Sequence, residues 1–137
     1  MITFSYRQVA PRISRPIIPL ILKNKHKFAL YSGLIDSGAD YCIFNIKIAE
    51  ALDIVLRSRK ISLKGIAREK VVGYLGKIEI SINGTTYDLT AIFAQMDELG
   101  HGILGQKGFF DHFDVKLRYQ KQLIEVEALK VAKPIVK

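Results

Sequence analysis

The 137-residue sequence predicts a mainly β, barrel-like fold with one or two short helices. Apolar runs of strand length recur along the chain, each bounded by turn residues. Asn83-Gly84 separates two such runs and is the strongest hairpin signal in the sequence, because a tight primed turn needs positive φ at both central positions. Asn45 stands ahead of Ile48, Ala49 and Leu52, an N-cap residue followed by one apolar helical face.

Taken in order, Ile2 to Arg7 reads as a terminal strand and Arg12 to Pro16, with two prolines nearby, as irregular. Ile17 to Leu22 and Phe28 to Ile35 flank the basic turn Lys23 to Lys27 and predict a hairpin. A short helix runs from the Asn45 cap to Leu52. Ile61 to Leu63 and Val71 to Leu75 are strands around a polar tip, and Lys77 to Ile82 is a separate strand before the Asn83-Gly84 turn. Beyond it, Tyr87, Leu89, Ala91 and Phe93 alternate with polar or smaller residues, as a half-buried strand requires. Gly100 and Gly102 flank His101 in a loop, and Ile103-Leu104 is a short buried strand. Lys107 to His112 reads as one or two helical turns, and Val115 to Leu117 and Leu123 to Val126 as two last strands. The tail, Lys130 to Lys137, is expected to fray or to serve in assembly.

Composition narrows the function. Hydrophobic residues make up 49% and charged residues 25%, which fits one globular domain and not a disordered chain. No apolar run approaches the roughly 20 residues of a membrane helix, and Ile17 to Leu22, broken by Pro19, is too short for a signal-peptide core. Cys42 is the one cysteine, so no internal disulfide forms, which fits a reducing, cytoplasmic setting. Cys42-Ile43-Phe44 is apolar, making Cys42 a buried core residue and not a nucleophile. His26, His101 and His112 show no metal-ligand spacing. The net charge of +8 would attract anions, but the basic residues are spread out. The densest, Lys23 to Lys27 and Arg57 to Lys60, fall at turns and strand edges, where a solvated surface explains them better than a nucleic-acid site. Tyr74 and Tyr87 are the candidate stacking residues of that rival.

Two strings carry chemistry. In Leu34-Ile35-Asp36-Ser37-Gly38-Ala39-Asp40, an apolar run delivers a carboxylate into a Ser-Gly turn. Burying that carboxylate is costly unless it is hydrogen-bonded or shares its charge. Asp-Ser-Gly alone is a common structural turn; the apolar lead-in and the following Ala39-Asp40 set this one apart. The second string is Ile103-Leu104-Gly105, followed by Gln106-Lys107-Gly108-Phe109-Phe110. Between them lies the polar hairpin Ile61 to Leu75, its tip near Gly65-Ile66-Ala67-Arg68-Glu69.

In that order the three elements resemble a retropepsin, one of the single-domain aspartic proteases that work as homodimers. The resemblance runs from about Arg15 to Val126. It is strongest to prokaryotic and retroelement-type members, with Gly73-Tyr74-Leu75-Gly76 and the Leu104-Gly105, Phe109-Phe110-Asp111, Phe113-Asp114-Val115 pattern. The resemblance implies a closed acid-protease barrel with a flap hairpin, one domain over 1–137 with its core at about 15–126. It also implies an aspartic endopeptidase with Asp36 from each subunit, Ser37 and Gly38 as the catalytic group. Ala39, Asp40, Gly65, Ile66, Ala67 and Ile103 would contact a peptide or protein substrate, and the chemistry would need no metal and no cofactor. The rival within the same fold is an inactive dimerisation or peptide-binding module.

Two departures carry expectations. Ala39 lacks the hydroxyl that pepsin-type enzymes often place there, so activity at milder pH is expected. Gln106 stands where retroviral enzymes carry an arginine paired with the aspartate matching Asp40, leaving Asp40 to seek Lys107 or Arg7.

Overall fold

The computed structural model describes residues 1–57, 60–63, 71–96 and 100–129, with 60–63 and 71 described through the backbone alone. The strands are β1 (Ile2–Ser5), β2 (Arg7–Ala10), β3 (Ile13–Arg15), β4 (Ile17–Asn24), β5 (Lys27–Ile35) and β6 (Ile43–Asn45). After helix α1 (Ile46–Ala51) come β7 (Lys60–Leu63), β8 (Val71–Ile82), β9 (Thr85–Ala94), β10 (Gly102–Leu104), β11 (Phe113–Arg118) and β12 (Leu123–Ala128).

A barrel follows from the pairing. Order β4-β5-β10-β6-β9-β8 closes on itself where Ile21 to Lys23 of β4 meet Glu79 to Ser81 of β8. β7 extends β8 outward, and β1-β12-β11 form a second, three-stranded sheet. Alternation dictates the inside: Ile18, Leu20 and Leu22 of β4 and Ile78, Ile80 and Ile82 of β8 are buried. Phe44, Phe93, Phe109 and Phe113 fill the centre, and Phe113, Ile124 and Val126 bring the second sheet onto the same core. No helix among the described residues is long and apolar enough to cross a membrane.

Asn45 caps α1 as the sequence predicts, its side chain accepting from Lys47 N–H at 3.0 Å. The Asn83-Gly84 turn has φ of 45° and 91°, and β8 and β9 pair on either side of it. The flap's two arms pair from Lys60↔Tyr74 to Leu63↔Val71, whereas its tip lies outside the described residues, as does the tail.

Four expectations need correcting. Residues 12 to 15 are not irregular: β2 and β3 form a hairpin, turning at Pro11 and a left-handed Arg12 with φ 63°. Proline presets the first turn position, and Arg12 takes the left-handed one that Gly or Asn usually fills. Arg7 pairs with Arg15 of β3 and so begins β2 instead of ending β1. β8 is one strand through Gly76, where a side chain would meet Phe93 at 2.9 Å and Ile54 at 3.0 Å; the glycine permits close packing and does not break the strand. Finally, Lys107 to His112 forms turns and no helix, because Gly108 adopts φ 105° in its midst.

Candidate active site

β5 and β10 run parallel, pairing Gly33↔Gly102, Leu34↔Ile103 and Ile35↔Leu104. The two strings singled out in the sequence therefore lie side by side. Asp36 N–H donates to the Leu104 carbonyl at 3.0 Å, fixing the first residue beyond β5 to the last of β10. On its other side β5 is held to the chain before β4, with Ile35 N–H on the Pro16 carbonyl at 2.9 Å.

Past that point the chain turns within the length of the aspartate itself. Gly38 N–H donates to Asp36 Oδ1 at 3.0 Å and Ala39 N–H to the Asp36 carbonyl at 3.2 Å. A Cβ on Gly38 would sit 3.3 Å from Asp36 Oδ1, so the glycine lets the backbone close on the carboxylate. Gly105 has the same purpose across the strands, since a side chain there would collide with the Tyr41 carbonyl and reach 2.7 Å from that of Ala39. Asp36 and Ala39 are half-buried, and Ser37, Gly38 and Asp40 are exposed.

A cavity of about 300 Å³ opens at this turn, lined by Ile35, Asp36, Ser37, Phe110, Val115 and Leu117. A larger one of about 600 Å³, at the basic hairpin, mixes Lys23, Lys25 and Lys77 with Glu79 and Asp88. Its charges nearly cancel and it holds none of the motif residues, so the smaller cavity is the chemically informative one. Among the described residues no three His, Cys, Asp or Glu side chains cluster as metal ligands would.

Of the residues the sequence proposed, Asp36, Ser37, Gly38, Ala39 and Asp40 form one loop, and Ile103 is half-buried in β10, paired with Leu34 and Ile43. Gly65, Ile66 and Ala67 lie outside the described residues. Asp40 does not find the cations expected for it. Arg7 donates to Ser32 Oγ at 2.8 Å and Lys107 lies 5.2 Å from the centre of the Tyr41 ring; among the described residues neither pairs with Asp40. Tyr87 offers no stacking platform, because it is half-buried, stacks on His112 at 4.0 Å and donates to the Gly108 carbonyl. Cys42 is fully buried, and burial pushes its thiol up to about 11 from 9.0, so it stays protonated near neutral pH.

Sequence reasoning missed Gln106 as a contact: its Nε2 donates to the Ser37 carbonyl at 2.8 Å. It also missed Val115 and Leu117 as neighbours of Asp36. A signal existed, since Val115 and Leu117 stand two residues apart and so share one face of a strand.

Comparison with known proteins agrees with the geometry. No curated protein matches the chain. In fold it is similar to a retropepsin-like aspartic protease from Rickettsia conorii, at TM-score 0.61 and 15% identity over 93% of this chain and 92% of that one. It is likewise similar to the retroviral protease-like domain of Ddi1 from Leishmania major, at TM-score 0.58 and 15% identity over 86% and 92%. The profile of the aspartyl protease family matches residues 24–107, which takes in the Asp36 turn, the flap arms and the Gly105 crossing. A retropepsin-like barrel and that match together make this chain a member of the aspartyl protease family.

Proposed function

We propose that the protein is an aspartic endopeptidase whose active site forms where two copies meet, each contributing Asp36. What carries the proposal is the placement of Asp36: one carboxylate at a strand end, held by the Gly38 N–H, beside a cavity walled by Phe110, Val115 and Leu117. One acidic side chain is half of an aspartic protease dyad. A two-fold axis through the cavity mouth supplies the other half and covers the exposed Leu117.

Two carboxylates that close share one proton, as aspartic protease dyads are known to do. One acts as general base on a water molecule and the other, protonated, donates to the substrate carbonyl. Water attacks the carbonyl carbon, and its proton passes through the dyad to the leaving nitrogen as the C–N bond breaks. No covalent enzyme intermediate forms, and neither metal nor cofactor enters. Ser37 and Gly38 hold the carboxylates in place. Ala39, Asp40 and Ile103, with Gly65, Ile66 and Ala67 of the flap tip, contact the peptide, and the apolar members favour apolar side chains. The unit is a single domain acting in the cytoplasm, in keeping with its lone, buried cysteine.

Asp36→Asn tests this. In a peptide-library digest the variant should lose cleavage by at least about 10³-fold while folding and dimerisation persist. A statine-type transition-state mimic should bind the unaltered protein and stop its cleavage. Undiminished cleavage by the variant would remove Asp36 from the mechanism. A folded dimer that binds peptides and cleaves none would favour the binding-module reading.

A further inference from the structure

Ser37 C=O and Gly38 N–H belong to one peptide unit, and that unit is held at both ends. Gln106 Nε2 donates to its oxygen at 2.8 Å, across 69 residues of sequence. Its N–H donates to Asp36 Oδ1 at 3.0 Å. Because the peptide is planar, fixing the carbonyl fixes the direction of the N–H. Each hydrogen bond in such a chain also polarises the next, so the amide of Gln106 strengthens the donor that faces the carboxylate. Two backbone bonds set the Gln106 stem beside the loop, from Gln106 N–H to the Ala39 carbonyl at 2.8 Å and from Lys107 N–H to the Asp40 carbonyl at 2.9 Å.

We infer that Gln106 is a positioning residue that aims the Gly38 N–H at the Asp36 carboxylate through the Ser37–Gly38 peptide plane. Its effect on catalysis rests on the protease reading; the aiming itself does not. The donor is a neutral amide, so the relay neither titrates nor weakens with salt as an ion pair would. In the single chain the bond is exposed to water. Where a second copy covers the loop, water no longer competes and the Ser37 carbonyl depends on this donor.

Gln106→Glu is the decisive variant. It keeps the length of the side chain, loses the donor when ionised, and regains an O–H donor when protonated. Gln106→Met removes the donor at every pH. The titratable or charged groups around position 106 are Asp36 and Asp40 on the loop and Lys107 and Asp111 on the following turn, whose own Asp111 N–H bonds the Gln106 carbonyl. The measurement is the Gly38 amide resonance against pH in the Asp36→Asn protein, with and without Gln106→Glu. Asp36→Asn removes the titration of the carboxylate, and the single variant supplies the baseline from Asp40 and Asp111. An added titration step at Gly38, absent with Gln106→Met, is expected. A Gly38 resonance identical in both backgrounds overturns the inference. With Asp36 intact, Gln106→Met should lower kcat about tenfold with KM unchanged, and Gln106→Glu should recover toward acid pH. If the unaltered protein cleaves nothing, the protease reading falls while the resonance still decides the role of Gln106.

Discussion

Cys42 follows the exposed Asp40 by two residues and yet lies wholly inside the core. Its thiol is pushed up to about 11, chiefly by burial, against an opposing hydrogen bond from the Gly105 backbone and with a still smaller push from the Asp111 charge. Burial also raises the Tyr31 and Tyr87 hydroxyls. All three groups are neutral when protonated, and the folded chain holds their protons more tightly than the unfolded one. Their contribution to stability is therefore complete below the unfolded values and is lost as pH rises toward the folded ones. For Cys42 that window runs from 9.0 to about 11, a loss on the order of 3 kcal/mol. Melting temperature should fall across this window, and less steeply in Cys42→Ala. Alkylating reagents at neutral pH should modify the denatured chain and spare the native one; rapid native modification would contradict the burial. The sequence already pointed to this core position, because Cys42 stands in an apolar run. It also pointed to Gly38, whose tight turn lets the backbone approach the aspartate, but not to why Gly105 is a glycine. At Gly105 the reason is the approach of the Ala39 and Tyr41 carbonyls, a contact from a distant part of the chain.

Among the elements, those with local signals were legible and those set by tertiary packing were not. α1 spans six residues, too few to persist alone, and depends on its Asn45 cap and on Ala49 and Leu52 in the core. Asn45→Ala should cost about 1 kcal/mol in denaturant unfolding, and Asn45→Asp should restore most of it. An unchanged midpoint for the alanine variant would mean packing alone holds the helix. The same logic explains the errors. Gly76 looks like a breaker until Phe93 and Ile54 are brought against it, and Phe109, Phe110 and Phe113 look helical until Gly108 takes its left-handed turn. The β2–β3 hairpin carries no local signal, because Arg12 supplies the positive φ that usually announces itself as Gly or Asn.

At the scale of the whole molecule, alternation along β4 and β8 predicts strands, but closure at Ile21 to Lys23 is a long-range pairing that periodicity cannot encode. Among the described residues β11 is an edge of the second sheet, and two of its apolar side chains, Val115 and Leu117, line the Asp36 cavity. Their position makes a charge at Leu117 a direct probe of pairing. Leu117→Asp should leave the monomer folded, since the side chain is 47% exposed, yet desolvate a carboxylate wherever a second copy covers it. Sedimentation should then find monomer at concentrations where the unaltered chain dimerises. Activity should follow the same law: if only the dimer carries the paired Asp36, cleavage per chain rises with concentration until dimer saturates. Leu117→Asp should move that rise to higher concentration. Cleavage per chain that stays constant on dilution into the monomeric range, or a Leu117→Asp protein that still dimerises and cleaves normally, would mean that this face is not where the two carboxylates meet.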